Sequence, residues 1–112
     1  RFIDAMKDIC GKHSYEFDKL GIYQQPIEHN RACQLQFSFF YDPADAAAVE
    51  EVKAIYDAAF EKMLELGGYF TRPYGNMAER LYERVGSYTA ALKKVKALFD
   101  PENIMNPGNL CF

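Results

Sequence analysis

Residues 34–43 read Gln-Leu-Gln-Phe-Ser-Phe-Phe-Tyr-Asp-Pro, and the period of the apolar pattern changes across them. Leu35, Phe37, Phe39 and Tyr41 alternate with Gln34, Gln36 and Ser38, the period of two expected of a strand with two unlike faces. Phe40 breaks the polar face only at its end. Asp42-Pro43 then predicts a helix start, a capping carboxylate followed by proline at the first helical position. From there Val49, Val52, Ile55, Tyr56, Ala59, Phe60, Met63 and Leu64 recur at helical spacing, while Glu50, Glu51, Lys53, Asp57, Glu61, Lys62 and Glu65 fill the other side. The stripe Val52, Ile55, Ala59, Phe60, Met63 is expected to pack on the Leu35, Phe37, Phe39 face, because burying the two apolar surfaces together removes both from water.

Upstream, Phe2, Ile3, Met6, Ile9 and Cys10 form an apolar helical stripe, and Gly11 predicts its stop, giving a helix over residues 1–11. No Ser, Thr, Asp or Asn precedes that stripe, so the helix reads as entered partway, in a fragment of a longer chain. A short strand is expected near 21–25. Downstream, Gly67-Gly68 ends the long helix, Tyr69-Phe70-Thr71-Arg72 reads as a short strand stopped by Pro73, and Met77, Leu81 and Val85 suggest a short helix after Gly75. A last helix near 87–99 carries Tyr88, Leu92, Val95, Leu98 and Phe99 on one side. With one strand before residue 1, the order becomes βαββαβ: an α+β, ferredoxin-like antiparallel sheet with helices on one face, its first strand missing, plus a helical C-terminal tail.

Composition narrows the function classes. The 112 residues carry 13 Lys+Arg against 16 Asp+Glu, a formal charge of −3, with 49% hydrophobic residues. Such a chain can bury a core, so disorder is excluded. Its longest basic run among the helices is Lys93-Lys94, no footprint for a phosphate backbone, so nucleic acid is not an expected partner. No run approaches the ~18–20 apolar residues of a membrane span, and no signal-peptide pattern opens the chain; a cytoplasmic protein is expected. Cys10, Cys33 and Cys111 are odd in number and widely spaced, which suits reduced thiols. There is no Cys-x-x-Cys, and His13 and His29 are not at ligand spacing, so no metal site is expected.

Few residues carry chemistry. Two histidines give no Ser-His-Asp or Cys-His constellation, and Gly67-Gly68 is too short for a dinucleotide fingerprint. Glu28-His29-Asn30-Arg31 is either a solvated loop or an acid/base and anion-binding edge, since His titrates near neutrality and Arg grips carboxylates through a planar fork. Arg72, ahead of Pro73 and Tyr74, is either a substrate-anion anchor or a salt-bridge partner. The Gln34, Gln36, Ser38 row either faces water or roofs a ligand pocket; both readings stand.

The segment from Leu92 to Leu110, with its helical lysines, Asp100-Pro101, the apolar pair Ile104-Met105 and Asn106-Pro107-Gly108, resembles the C-terminal signature of the FAD-linked oxidases. This flavoprotein family includes vanillyl-alcohol oxidase, 4-cresol dehydrogenase, glycolate oxidase and D-lactate dehydrogenase. The resemblance extends upstream, where a strand, long helix, Gly-Gly and short strand recur as Gln34 to Arg72 do here. It implies that residues 1–72 are the C-terminal part of a substrate (cap) domain whose sheet lies over the flavin ring, and that 73–112 form a helical segment ending in the Asn-Pro-Gly tail. Tyr69 to Tyr74 resembles the phenol-oxidising branch, in which a Tyr-Arg pair binds a phenolate; Arg72 matches the Arg, and Thr71 stands in place of the Tyr. The Gly-Glu-His-Gly of the glycolate and lactate branch is absent here. Gln34 and its neighbours include no His, so the resemblance implies no covalent flavin through this strand.

By this resemblance the whole protein is an FAD-dependent oxidoreductase that passes a hydride from a hydroxylated or para-substituted phenolic small molecule to flavin. Arg72, Tyr74, His29 and Arg31 are its implied catalytic residues. Arg72, Tyr69, Gln34 and Gln36 would contact substrate, and Asn106 the cofactor. An FAD-binding domain would lie upstream in the same protein, oligomers being possible. The fragment alone would be inactive. The alternative from another class is a free-standing ferredoxin-like binding or regulatory module without catalysis.

Overall fold

The computed structural model describes residues 1–29 and 31–112, in two compact units, Arg1–Gly68 and Tyr69–Phe112. The first unit holds helix α1 (Phe2–Lys12), a single 3-10 turn (Phe17–Lys19), strands β1 (Gly21–Ile27) and β2 (Ala32–Ser38), and helix α2 (Ala46–Glu65). The second holds helices α3 (Asn76–Arg84) and α4 (Gly86–Phe99) and the tail. The architecture is α+β, and among the described residues its sheet is one antiparallel pair, β1-β2. No helix is long and apolar enough to cross a membrane, among the described residues.

The core of the first unit is helix on helix. Met6, Ile9 and Cys10 of α1 are buried, as are Ile55, Ala59, Phe60, Met63 and Leu64 of α2, at the 3- and 4-residue spacings of one helical face. Here the sequence reading needs correction: the main partner of α2 is α1, and Leu35, Phe37 and Phe39 are only half-buried. Alternation predicts which face of β2 is apolar, but not which surface covers it. Tyr56, counted in the stripe, is exposed.

Two boundaries move and a third falls where the sequence put it, each for an identifiable reason. Gly11 stays helical, and α1 stops where Ser14 takes the left-handed conformation (φ 57°) and the Tyr15 amide donates to the Cys10 carbonyl at 3.0 Å. Asp42 closes a turn through the Ala44 amide (2.9 Å), while Asp45, just before three alanines, is the cap, accepting from Ala47 (2.9 Å) and Ala48 (3.3 Å). At the other end of α2, Gly67 has φ 83° and the Gly68 amide donates to the Met63 carbonyl at 2.8 Å. A Cβ on Gly68 would lie 2.8 Å from that oxygen, so the glycine pair is a helix stop.

In the second unit the expected strand Tyr69–Arg72 does not form; those residues are irregular, with a bend at 71–72. Apolar pattern and a following proline mark where a strand could stop, but a strand forms only where its backbone groups find a partner, and among the described residues 69–72 belong to no strand pair. Met77, Ala78 and Leu81 of α3 and Pro73 are buried. Helix α4 forms as read, yet none of its residues is buried: Leu98 and Phe99 are each 80% exposed. The Thr89 hydroxyl donates to the Tyr82 carbonyl at 2.6 Å and ties the start of α4 to α3.

Candidate functional site

The tail is organised by one carboxylate. Asp100 is 5% exposed, at the end of α4. Its two oxygens accept the backbone amides of Ile104 and Met105, each at 2.9 Å. Lys96, one helical turn back, donates its ammonium to the same carboxylate and to the Met105 carbonyl, and lies 5.5 Å from the centre of the Phe112 ring. The Lys96 ammonium, together with the two amides, holds the Asp100 carboxyl below the usual carboxylate range against the opposing effect of burial. Left-handed residues at Asn103, Asn106, Gly108 and Leu110 then fold the last turns. The Lys, Asp-Pro and apolar-pair spacing of the sequence signature is thus the spacing of a clamp.

Concave surface lies beside this clamp, a shallow trough of about 1330 Å³ within the second unit. Arg72, Tyr74 and Asn106 line it, with the apolar side chains Leu92, Val95 and Phe99. Arg72 is exposed, and Tyr74 is 68% exposed. Tyr69 is 78% exposed and does not line the trough. Burial pushes the nearby Tyr82 hydroxyl up, with smaller contributions from Cys111, Tyr88 and Tyr69.

The remaining sequence candidates belong to the first unit. His29 and Arg31 sit in the reversal between β1 and β2, where the Arg31 amide donates to the Glu28 carbonyl at 3.1 Å and Glu28 and His29 have positive φ. Both side chains are exposed. Asn30 of the same motif lies outside the described residues. Gln34 and Gln36 are exposed on β2. The register pairs Tyr23 with Gln36, Gln25 with Gln34 and Gly21 with Ser38, so these side chains share one face. The Tyr23 hydroxyl donates to Gln25 Oε1 (3.0 Å) and Gln36 Nε2 to Ser38 Oγ (3.3 Å). Tyr23 and Gln25 escaped the sequence reading, because only the register shows which β1 residues join the Gln34, Gln36 row. Among the described residues, no three His, Cys, Asp or Glu side chains gather as metal ligands.

The residues present also bear on a dinucleotide. The α2 N-terminal amides of Ala47 and Ala48 are taken by Asp45, and no glycine-rich loop leads into that helix. The described chain therefore has no phosphate cradle at this helix.

The chain is 37% identical over 114 residues to the glycolate oxidase subunit GlcD of Bacillus subtilis (strain 168), covering 96% of this chain and 22% of that protein. It is 36% identical over 72 residues to D-2-hydroxyglutarate dehydrogenase of Pseudomonas putida KT2440, covering 62% of this chain and 7% of that one. The chain thus spans a small part of the length of either relative. No solved structure matches. Residues 2–110 match the family model for the C-terminal domain of FAD linked oxidases, and with nearly the whole chain inside that match, the chain belongs to this family.

Proposed function

We propose that this chain is the substrate-side portion of an FAD-dependent oxidoreductase that oxidises a 2-hydroxy acid by hydride transfer to flavin. The observation that carries this reading is the family match over residues 2–110, which implies FAD in the full-length enzyme. The two relatives are named for glycolate and D-2-hydroxyglutarate, both 2-hydroxy acids. Neither is named for a phenol. Of the hydroxylated and the para-substituted phenolic molecules that the sequence leaves open, the hydroxylated class is therefore adopted, narrowed to a 2-hydroxy acid by the names of the two relatives. An upstream FAD-binding domain in the same protein completes the enzyme, and the free-standing module is disfavoured.

When bound, FAD supplies the hydride acceptor. Arg72 offers a planar, permanently charged fork at an exposed position of the trough, suited to a carboxylate. Tyr74 and Asn106 line the same trough as Arg72, Tyr74 to orient substrate and Asn106 as the residue that would contact the cofactor. His29 and Arg31 already serve the β1–β2 reversal through their backbone, so the proposal rests on Arg72.

In the full-length protein, anaerobic addition of glycolate, D-lactate or D-2-hydroxyglutarate should bleach the oxidised flavin. Arg72→Ala should lower kcat/KM by about 2–4 kcal/mol of transition-state stabilisation with flavin content unchanged, and Arg72→Lys should recover only part. Near wild-type kinetics in the alanine variant would remove Arg72 from the site.

A further inference from the structure

The tail builds a wall without a core of its own. Residues 101–110 are exposed throughout, and Cys111 and Phe112 are only half-buried. Yet Met105, Asn106 and Phe112 line the trough that Arg72 and Tyr74 also line, all within the second unit. A wall with no buried side chain takes its position from polar bonds instead of packing. The Asn103 amide closes a turn on the Asp100 carbonyl at 3.1 Å; beyond it the backbone bonds of the tail run within the tail, from the Gly108 amide to the Phe112 carbonyl (3.0 Å) and from the Phe112 amide to the Asn109 carbonyl (3.1 Å). Side chains fasten it to α4. The Asp100 carboxylate accepts the amides of Ile104 and Met105, each at 2.9 Å, while the Lys96 ammonium donates to that carboxylate and to the Met105 carbonyl and faces the Phe112 ring. Among the described residues Asp100 is the one polar or charged residue that is buried.

Resting on the 2-hydroxy-acid reading above, we infer that Lys96 and Asp100 are positioning residues for the substrate: they set the affinity of the trough by holding residues 105, 106 and 112 as its second wall, the first carrying Arg72. Each neutralises the other, so neither is the partner of the substrate anion; their part is to fix shape. Removing either member leaves the other without its counter-charge in a buried place, so the clamp holds or fails as a unit. Helices α3 and α4 are tied separately, through the Thr89 hydroxyl and the Tyr82 carbonyl, so the trough can lose this wall while the helices stay paired.

The test uses the full-length flavoprotein and anaerobic flavin reduction by glycolate, D-lactate or D-2-hydroxyglutarate, followed by stopped flow over a range of concentrations to separate the substrate Kd from the limiting rate constant. Asp100→Asn and Lys96→Met should each raise Kd about tenfold or more and leave the limiting rate constant within about threefold, the pattern of lost uniform binding. The double variant should be no weaker than the weaker single, since both changes open one clamp. Lys96→Arg, which keeps the cation, should lose less affinity than Lys96→Met. Lys94→Met removes the same charge from an exposed position of α4 outside the trough and should leave both constants unchanged.

A substrate Kd within about twofold of the wild type in both single variants, or an equal rise in Lys94→Met, would overturn the inference while leaving the 2-hydroxy-acid reading intact. Additive losses in the double variant would overturn it by showing two independent residues. A limiting rate constant that falls as far as the affinity, or loss of soluble, flavin-loaded protein in both single variants, would make the pair part of the general fold and overturn it too. If no 2-hydroxy acid reduces the flavin of the wild type, the reading beneath it fails as well.

Discussion

Asp100 accepts from Lys96, Ile104 and Met105 at once, and each donor favours its ionised form. Its folded-state pKa lies below the ordinary carboxylate value of 3.8, so the sign of the pH dependence is determined. The stabilisation is fully present above that ordinary value and is lost as pH falls through the lower folded value. Acid unfolding followed by near-ultraviolet circular dichroism should show this, and Asp100→Asn should flatten the acid limb of stability against pH. The clamp also explains why an aspartate precedes Pro101: proline cannot donate, and the donors come from residues 104 and 105 across a short turn. A second residue-scale contrast concerns phenylalanines. Phe60, 2% exposed between the helices, should cost about 3–5 kcal/mol on truncation to alanine. Phe37, half-buried on the ribbon, should cost less, and paired urea melts of the two variants measure the difference.

Helix α2 shows how an element depends on its ends. Its start is carried by Asp45 and its stop by Gly67 and Gly68, with α1 covering the face between. Gly67→Ala forces a side chain into φ 83° and should destabilise by about 1–2 kcal/mol. Gly68→Ala acts differently, because its Cβ would sit 2.8 Å from the Met63 carbonyl and the last turn must shift. Thermal melts should therefore show both variants destabilised, with amide exchange near the end of α2 accelerated most in Gly68→Ala. The ribbon depends on a different device. Tyr15 packs edge-on against Phe39, at 5.5 Å between ring centres, and its hydroxyl both donates to the Phe40 carbonyl (3.2 Å) and accepts from the Phe40 amide (3.1 Å). That anchor fastens the end of β2 to the segment after α1 where helix packing does not reach.

Over the whole chain, apolar surface is unevenly spent. The first unit buries a helix pair, whereas Leu98, Phe99, Ile104 and Met105 of the second are all more than half exposed. Cys10, fully buried, has its thiol pushed up by burial, so thiol-directed reagents should modify Cys33 first in the native chain. Titration of the isolated chain with FAD should show no micromolar binding, since Asp45 occupies the α2 N-terminal amides and no glycine-rich loop precedes them. Stoichiometric binding in calorimetry would place the phosphate cradle in these residues.

Local chemistry was legible because its cause lies within a few residues. Periodicity alone located α2 and β2, the glycine pair marked the helix stop, and the Lys, Asp-Pro, Asn-Pro-Gly spacing identified the tail and with it the family. These depend on backbone sterics, capping and turn chemistry, which act between neighbours. Tertiary structure alone decided the partner of each surface. The α2 stripe chose α1 over β2, Tyr69–Arg72 stayed irregular, and the β1–β2 register gathered Tyr23 and Gln25 onto the Gln34, Gln36 face. Hydrophobic attraction is non-directional, so an apolar stripe specifies that it is to be covered but not by what; that choice is made only when the whole chain packs.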